Sequence, residues 1–106
     1  MTSDALEDRI RQIRLRLQGR LGDLVADLGT AFDATPDGGV PEGAFELYTR
    51  LHNVSGSAGP VGLPDIGDAA RRLEEHLTPW LKNGPAHDGW REAFDGLRAA
   101  VDAGSR

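Results

Sequence analysis

LEDRIRQIRLRLQGRLGDLVADLGTAF, residues 6–32, carries apolar side chains at Leu6, Ile10, Ile13, Leu17, Leu21, Leu24, Leu28 and Phe32, in steps of three and four throughout. That spacing is the period of a helix and not the alternation of a strand. Ser3 or Asp4 can cap its start, with Glu7 and Asp8 in the first turn, where the helix dipole favours acids. Gly19 and Gly22 each weaken a helix by about 1 kcal/mol relative to Ala, so the segment reads as one long helix with an interruption allowed near residue 20.

The same period recurs three more times between the breaks TPDGGVPEG (35–43), GPVGLPDIG (59–67) and NGPAHDG (83–89). Pro41 suits the first turn of a second helix, in which Phe45, Tyr48, Leu51, Val54 or Ser55, and Ala58 continue the spacing. Pro60 ends it, because its ring clashes with the carbonyl four residues back and it donates no hydrogen bond. Pro64 opens a third helix whose inward face is Ile66, Ala69 or Ala70, Leu73, Leu77, and Trp80 or Leu81, closed by Gly84 and Pro85. Asp88 is a good N-cap for a fourth, carrying Trp90, Phe94, Leu97 and Val101. Nothing alternates with period two. The predicted fold is all-α: a single domain over 1–106, packed as an antiparallel up-down four-helix bundle, with the two Trp and three Phe in its core.

Composition narrows the class. At 106 residues the chain is long enough for one modest core and too short for two. It has no cysteine, so neither a disulfide framework nor a thiolate metal cluster can hold it. No apolar run approaches the ~20 residues of a membrane span, and the start MTSDALEDR lacks the basic and apolar stretches of a signal peptide. A cytoplasmic protein is expected. The formal net charge of −5 argues against nucleic acid, although the first 20 residues carry five Arg against three acids. The initial Met and the terminal AGSR favour a free-standing protein.

Few groups can carry chemistry. His52, His76 and His87 stand 24 and 11 residues apart, without the HExxH or i, i+4 pairing that holds zinc, so no metal site is expected. His87 falls in a Pro/Gly loop and reads as a solvated residue, and His76 fits an exposed face of the third helix. GSAGPVG (56–62) lacks the Lys-Ser/Thr of a phosphate loop and follows a helix instead of a strand. No Gly-x-Ser-x-Gly elbow is present, and Ser57 has no evident base. His52 differs in its company: Ser55 and Gly56 fall at i+3 and i+4 and Gly59 at i+7, so the surface beside the imidazole consists of the smallest side chains. Such residues serve either tight packing of two helices or the approach of another protein, and spacing leaves both open.

LHNVSGSAGPVGL (51–63), followed by AARRLEEHL (69–77), resembles the signature of histidine-containing phosphotransfer (HPt) domains, His-x-hydrophobic-Lys-Gly-small-small-x-x-hydrophobic-Gly. His52, Val54, Gly56, Ser57, Ala58, Val61 and Gly62 match without a gap. The resemblance implies a four-helix bundle and a phosphoryl carrier without catalytic activity of its own. His52 would be the phosphoacceptor in a phosphorelay, fed by a receiver-domain aspartate or a (hybrid) histidine kinase and discharging to a receiver domain. Glu74 would accept a hydrogen bond from the other ring nitrogen and orient it. Ser55, Gly56 and Gly59 would form the docking surface. The chain would bind no cofactor, the Mg²⁺ belonging to the partner receiver, and would act as a monomer with no nucleic-acid or membrane partner. One position departs from the pattern: the usual Lys is Ser55, which offers the phosphoryl group a hydrogen bond without a charge. Arg71 or Arg72 on the next helix could supply that charge. The alternative is a transfer-deficient helical adaptor that binds receiver or kinase domains.

Overall fold

The computed structural model describes residues 3–104. Four α-helices follow in chain order: α1 (Ser3–Ala34), α2 (Ala44–Ser57), α3 (Pro64–Leu77) and α4 (Trp90–Gly104). Short 3₁₀ turns, Gly59–Val61 and Thr78–Lys82, follow α2 and α3, and no strand occurs among the described residues. Contacts run in opposite directions along neighbouring helices, as an antiparallel up-down bundle requires. Asp27 of α1 pairs with Arg50 of α2 at 2.8 Å, and thirteen residues earlier Arg14 donates to the Val61 carbonyl, also at 2.8 Å. α3 packs against both α2 and α4, and α1 closes the bundle.

α1 is continuous. Gly19 and Gly22 lie on its exposed side, where a Cβ would meet nothing within 4 Å, so neither forces a bend. The core begins only at Leu17 and continues through Leu21, Leu24, Leu28 and Phe32, all at most 5% exposed. Leu6 and Ile13, on the same apolar face, remain 59% and 40% exposed. The period persists, but the helix outruns its partners: the bundle ends where Arg14 meets Val61 and Gln18 donates to the Gly104 carbonyl at 2.7 Å. The proposed cap at Ser3 and the terminal Ser105 and Arg106 lie outside the described side chains, and Asp4 sits in the first turn.

α2 corrects two expectations. It starts at Ala44, because Gly43 at φ +78° cannot continue a right-handed helix, and Pro41 stands buried ahead of it. Its inward face is Ala44, Leu47, Leu51, Val54 and Ala58, while Phe45 is 69% exposed. Steps of three residues each fall about 60° short of a full turn, so the series 45, 48, 51 spirals away from the core: Tyr48 is half-buried and Phe45 points outward. Four aromatic residues, not five, therefore fill the core. Phe32 stacks on Trp90 with ring centres 4.3 Å apart and meets Phe94 at 5.0 Å and Trp80 at 5.7 Å. Gly38 lets the α1–α2 loop pass over this cluster, since a Cβ there would lie 2.4 Å from the Trp90 indole nitrogen and its φ is +73°.

α3 begins at Pro64 as expected but ends at Leu77, earlier than Gly84 and Pro85. Pro79 cannot donate to the Glu75 carbonyl and clashes with it, so the chain tightens into the 3₁₀ turn that buries Trp80 and leaves Leu81 46% exposed. α4 starts at Trp90, after Gly89 at φ +96°, so Asp88 lies in the preceding turn instead of at the cap. Its buried residues are those the spacing indicates: Trp90, Phe94, Leu97 and Val101.

Candidate functional site

His52 stands on the outer side of α2, with its side chain 65% exposed. Opposite it α3 presents Glu74, whose side chain is only 15% exposed. The two helices come this close because α3 carries a glycine at the crossing. A Cβ on Gly67 would already be in contact with the Ala58 methyl (3.5 Å) and the Ser55 carbonyl (3.6 Å), so a larger side chain would push α3 away from α2.

Three side chains of α2 converge on the Glu74 carboxylate. The Nδ1 of His52 lies 2.7 Å from Oε2, Ser55 Oγ lies 2.8 Å from Oε1, and the Tyr48 hydroxyl reaches Oε2 at 3.4 Å. Positions i−4, i and i+3 lie along one face of a helix, which is why one carboxylate can take all three. Burial pushes the Glu74 carboxyl up, but hydrogen bonds from His52 and Ser55, the histidine's charge and the Tyr48 hydrogen bond outweigh it, leaving the group below the ordinary carboxylate value. Tyr48 moves the opposite way, raised first by burial and then by the neighbouring charge and its hydrogen bond to Glu74. An ionised Glu74 accepts only, so the Nδ1 facing it carries the proton, and in the neutral ring the lone pair is then on Nε2. Nε2 has no hydrogen-bond partner among the described residues.

A shallow hollow surrounds the ring, lined by His52, Ser55, Gly56, Arg71, Glu74, Glu75 and Thr78. Gly56 and Gly59 are exposed, and a Cβ on either would meet nothing within 4 Å. The close helix contact is made at Ala58 and Gly67, with the Gly59 backbone nitrogen beside it, whereas the space a Cβ on Gly56 or Gly59 would enter is open. Ser55, expected on the docking surface, lines this hollow but is only 9% exposed, and its hydroxyl lies 2.8 Å from both the His52 carbonyl and Glu74, so it is engaged with the carboxylate.

The two candidate arginines separate. Arg71 lines the hollow beside His52, while Arg72 lies in a different groove, with His76 and Glu92, between α3 and α4. His76 is occupied locally, its Nδ1 lying 2.7 Å from the Arg72 carbonyl, and His87 is exposed. No group of three or more His, Cys, Asp or Glu side chains among the described residues is arranged to hold a metal ion. Tyr48 is the residue that the sequence did not bring to this site, and the exposed Phe45 lies on the same face of α2 as His52. Phe45 is seven residues before His52, within about 20° of it around the helix and about 10 Å along it, and that spacing was the available signal.

The sequence model of the Hpt domain matches residues 3–105, nearly the whole chain, and the protein belongs to the Hpt domain family. No curated protein and no solved structure matches it. Hpt domains have a phosphotransfer role in two-component phosphorelays, as phosphocarrier modules rather than catalysts, and the family implies interaction with receiver domains and histidine kinases. None of the described helices is long and apolar enough to cross a membrane.

Proposed function

We propose that His52 is the phosphoacceptor, taking a phosphoryl group at Nε2 from a receiver aspartate or a histidine kinase and passing it to a receiver domain. The observation that carries this reading is the 2.7 Å contact between Glu74 and Nδ1 of an exposed imidazole, which leaves Nε2 as the free nucleophile. In transfer from a receiver, the Nε2 lone pair forms the N–P bond as the bond from phosphorus to the aspartyl oxygen breaks, its electron pair leaving with the carboxylate; from a kinase phosphohistidine the bond broken is P–N and the imidazole leaves. The ring keeps its Nδ1 proton and gains positive charge, which Glu74 balances in place. Transfer onward runs the same steps in reverse. Little covalent work falls to the carrier, because phosphoryl transfer depends chiefly on positioning and electrostatics. The Mg²⁺ belongs to the receiver, which would dock on the open surface of Gly56 and Gly59 with Phe45 as its apolar contact.

Incubation with a phosphorylated receiver tests the assignment. Acid-labile, alkali-stable label is expected on the wild type and absent from His52→Gln, with both proteins equally helical, because so exposed a side chain adds little to packing. Label that survives in the variant moves the site to His76 or His87. The second reading, a helical adaptor without transfer, is favoured by one feature: Ser55 stands where the family carries Lys. Receiver binding without label on His52 selects it.

A further inference from the structure

Phosphoryl oxygens carry the charge of the transferring group, and a cation in contact with them lowers the barrier. α2 supplies none at His52: Ser55 is uncharged and its hydroxyl is engaged with Glu74, and Arg50 pairs with Asp27 of α1. We propose that Arg71, from α3, is the residue that contacts the phosphoryl oxygens at His52. This rests on the phosphocarrier reading of His52 and adds the source of its positive charge.

Among the described residues, Arg71 is the only cation lining the hollow that holds His52, Gly56 and Glu74. Its present partner is weak: Asp68 lies 3.6 Å away on the same helix, and both side chains are more than half exposed. The guanidinium can therefore leave Asp68 for a stronger anion. Room exists for the exchange, because Gly56 has no side chain and the space its Cβ would enter is empty to 4 Å. A planar guanidinium can donate two parallel N–H bonds to two phosphoryl oxygens, which an ammonium on α2 could not do. The tasks divide accordingly: Ser55 helps to hold the carboxylate that fixes Nδ1, and Arg71 meets the charge arriving at Nε2.

Phosphoramidate serves as the donor, so no partner protein is needed. Its P–N bond breaks as the bond to Nε2 forms, and ammonia leaves. Phosphorylation of the full chain is followed by ³¹P NMR at low and high ionic strength for the wild type, His52→Gln, Arg71→Ala, Arg71→Gln, Arg71→Lys and Arg72→Ala. The expected result is a roughly tenfold slower reaction at His52 in Arg71→Ala and Arg71→Gln at low salt, the loss of one charge-assisted contact. The deficit narrows at high salt, Arg71→Lys recovers most of the rate, and Arg72→Ala equals the wild type. Wild-type rates in Arg71→Ala and Arg71→Gln overturn the proposal, as does a deficit that ignores salt or that Arg71→Lys shares in full. A wild type no more reactive than His52→Gln overturns the phosphocarrier reading itself, and this proposal with it. Normal labelling of His52 with no effect at Arg71 removes Arg71 alone.

Discussion

At Ser55 a single hydroxyl proton faces two acceptors, the His52 carbonyl and the Glu74 carboxylate, both at 2.8 Å. The carboxylate is the stronger acceptor and takes the proton. Ser55→Ala leaves Oε1 of a mostly buried carboxylate without its donor, so a loss of about 1 kcal/mol in unfolding free energy is expected, measured by denaturant titration. Labelling of His52 should also slow, because the carboxylate that fixes the ring is less constrained. Glu74 itself sets a pH signature. Its folded-state value lies below the ordinary 4.5, so folding favours the ionised form. The stabilisation is fully present above 4.5 and is lost as pH falls through the lower folded-state value, because the unfolded chain then binds more protons than the folded one. Between pH 5 and pH 3 the wild type should therefore lose stability more steeply than Glu74→Gln, which has no carboxyl to protonate there. Parallel slopes would mean that Glu74 is not held ionised by its three donors.

At the scale of the helix, α2 separates its packing face from its exposed face. Leu47, Leu51 and Val54, with Ala58 just past its end, are buried, while Phe45, His52 and Gly56, with Gly59 in the following turn, are exposed. Gly56→Gln should raise the melting temperature, since helix propensity favours it by up to about 1 kcal/mol, and should at the same time reduce transfer from a receiver by obstructing the approach to His52. Phe45→Ala should leave the melting temperature unchanged and weaken receiver binding. A fall in stability from either change would place that residue in the bundle's packing. Phe45 shows what spacing can and cannot reveal. Its steps of three to Tyr48 and Leu51 have the spacing of a core stripe, yet repeated threes drift around the helix, and only the packed partner decides where the face lies. Glu74 was legible through the ungapped register of the Hpt-like signature. The part of Ser55 was not, because periodicity says which residues share a face of α2 but not that a carboxylate of α3 lies over them. Tyr48 was missed for the same reason.

The molecule as a whole is an elongated body, 52 × 24 × 18 Å, because α1 alone runs about 48 Å and extends past the other three helices. The number and order of helices and most of the core were readable from apolar spacing, since each of α3 and α4 buries the residues its period marks. The overhang was not readable, since Leu6, Ile10 and Ile13 continue the core period of α1 where no other helix accompanies it. Removing residues 1–12 should therefore shift the melting temperature by less than about 4 °C, whereas Leu24→Ala, inside the bundle, should cost about 2–5 kcal/mol. A collapse of the truncated chain would mean that the overhang supports the bundle. The site depends on this architecture at one point: α3 must lie close enough to α2 for Glu74 to reach Nδ1 of His52. In the proposed reading that contact leaves Nε2 as the nucleophile, and ¹⁵N and ³¹P NMR of the phosphorylated protein tests it most directly. The account predicts nitrogen–phosphorus coupling at Nε2 of His52, with Nδ1 still bearing its proton. Phosphate on Nδ1 of His52, or on His76 or His87, would contradict it.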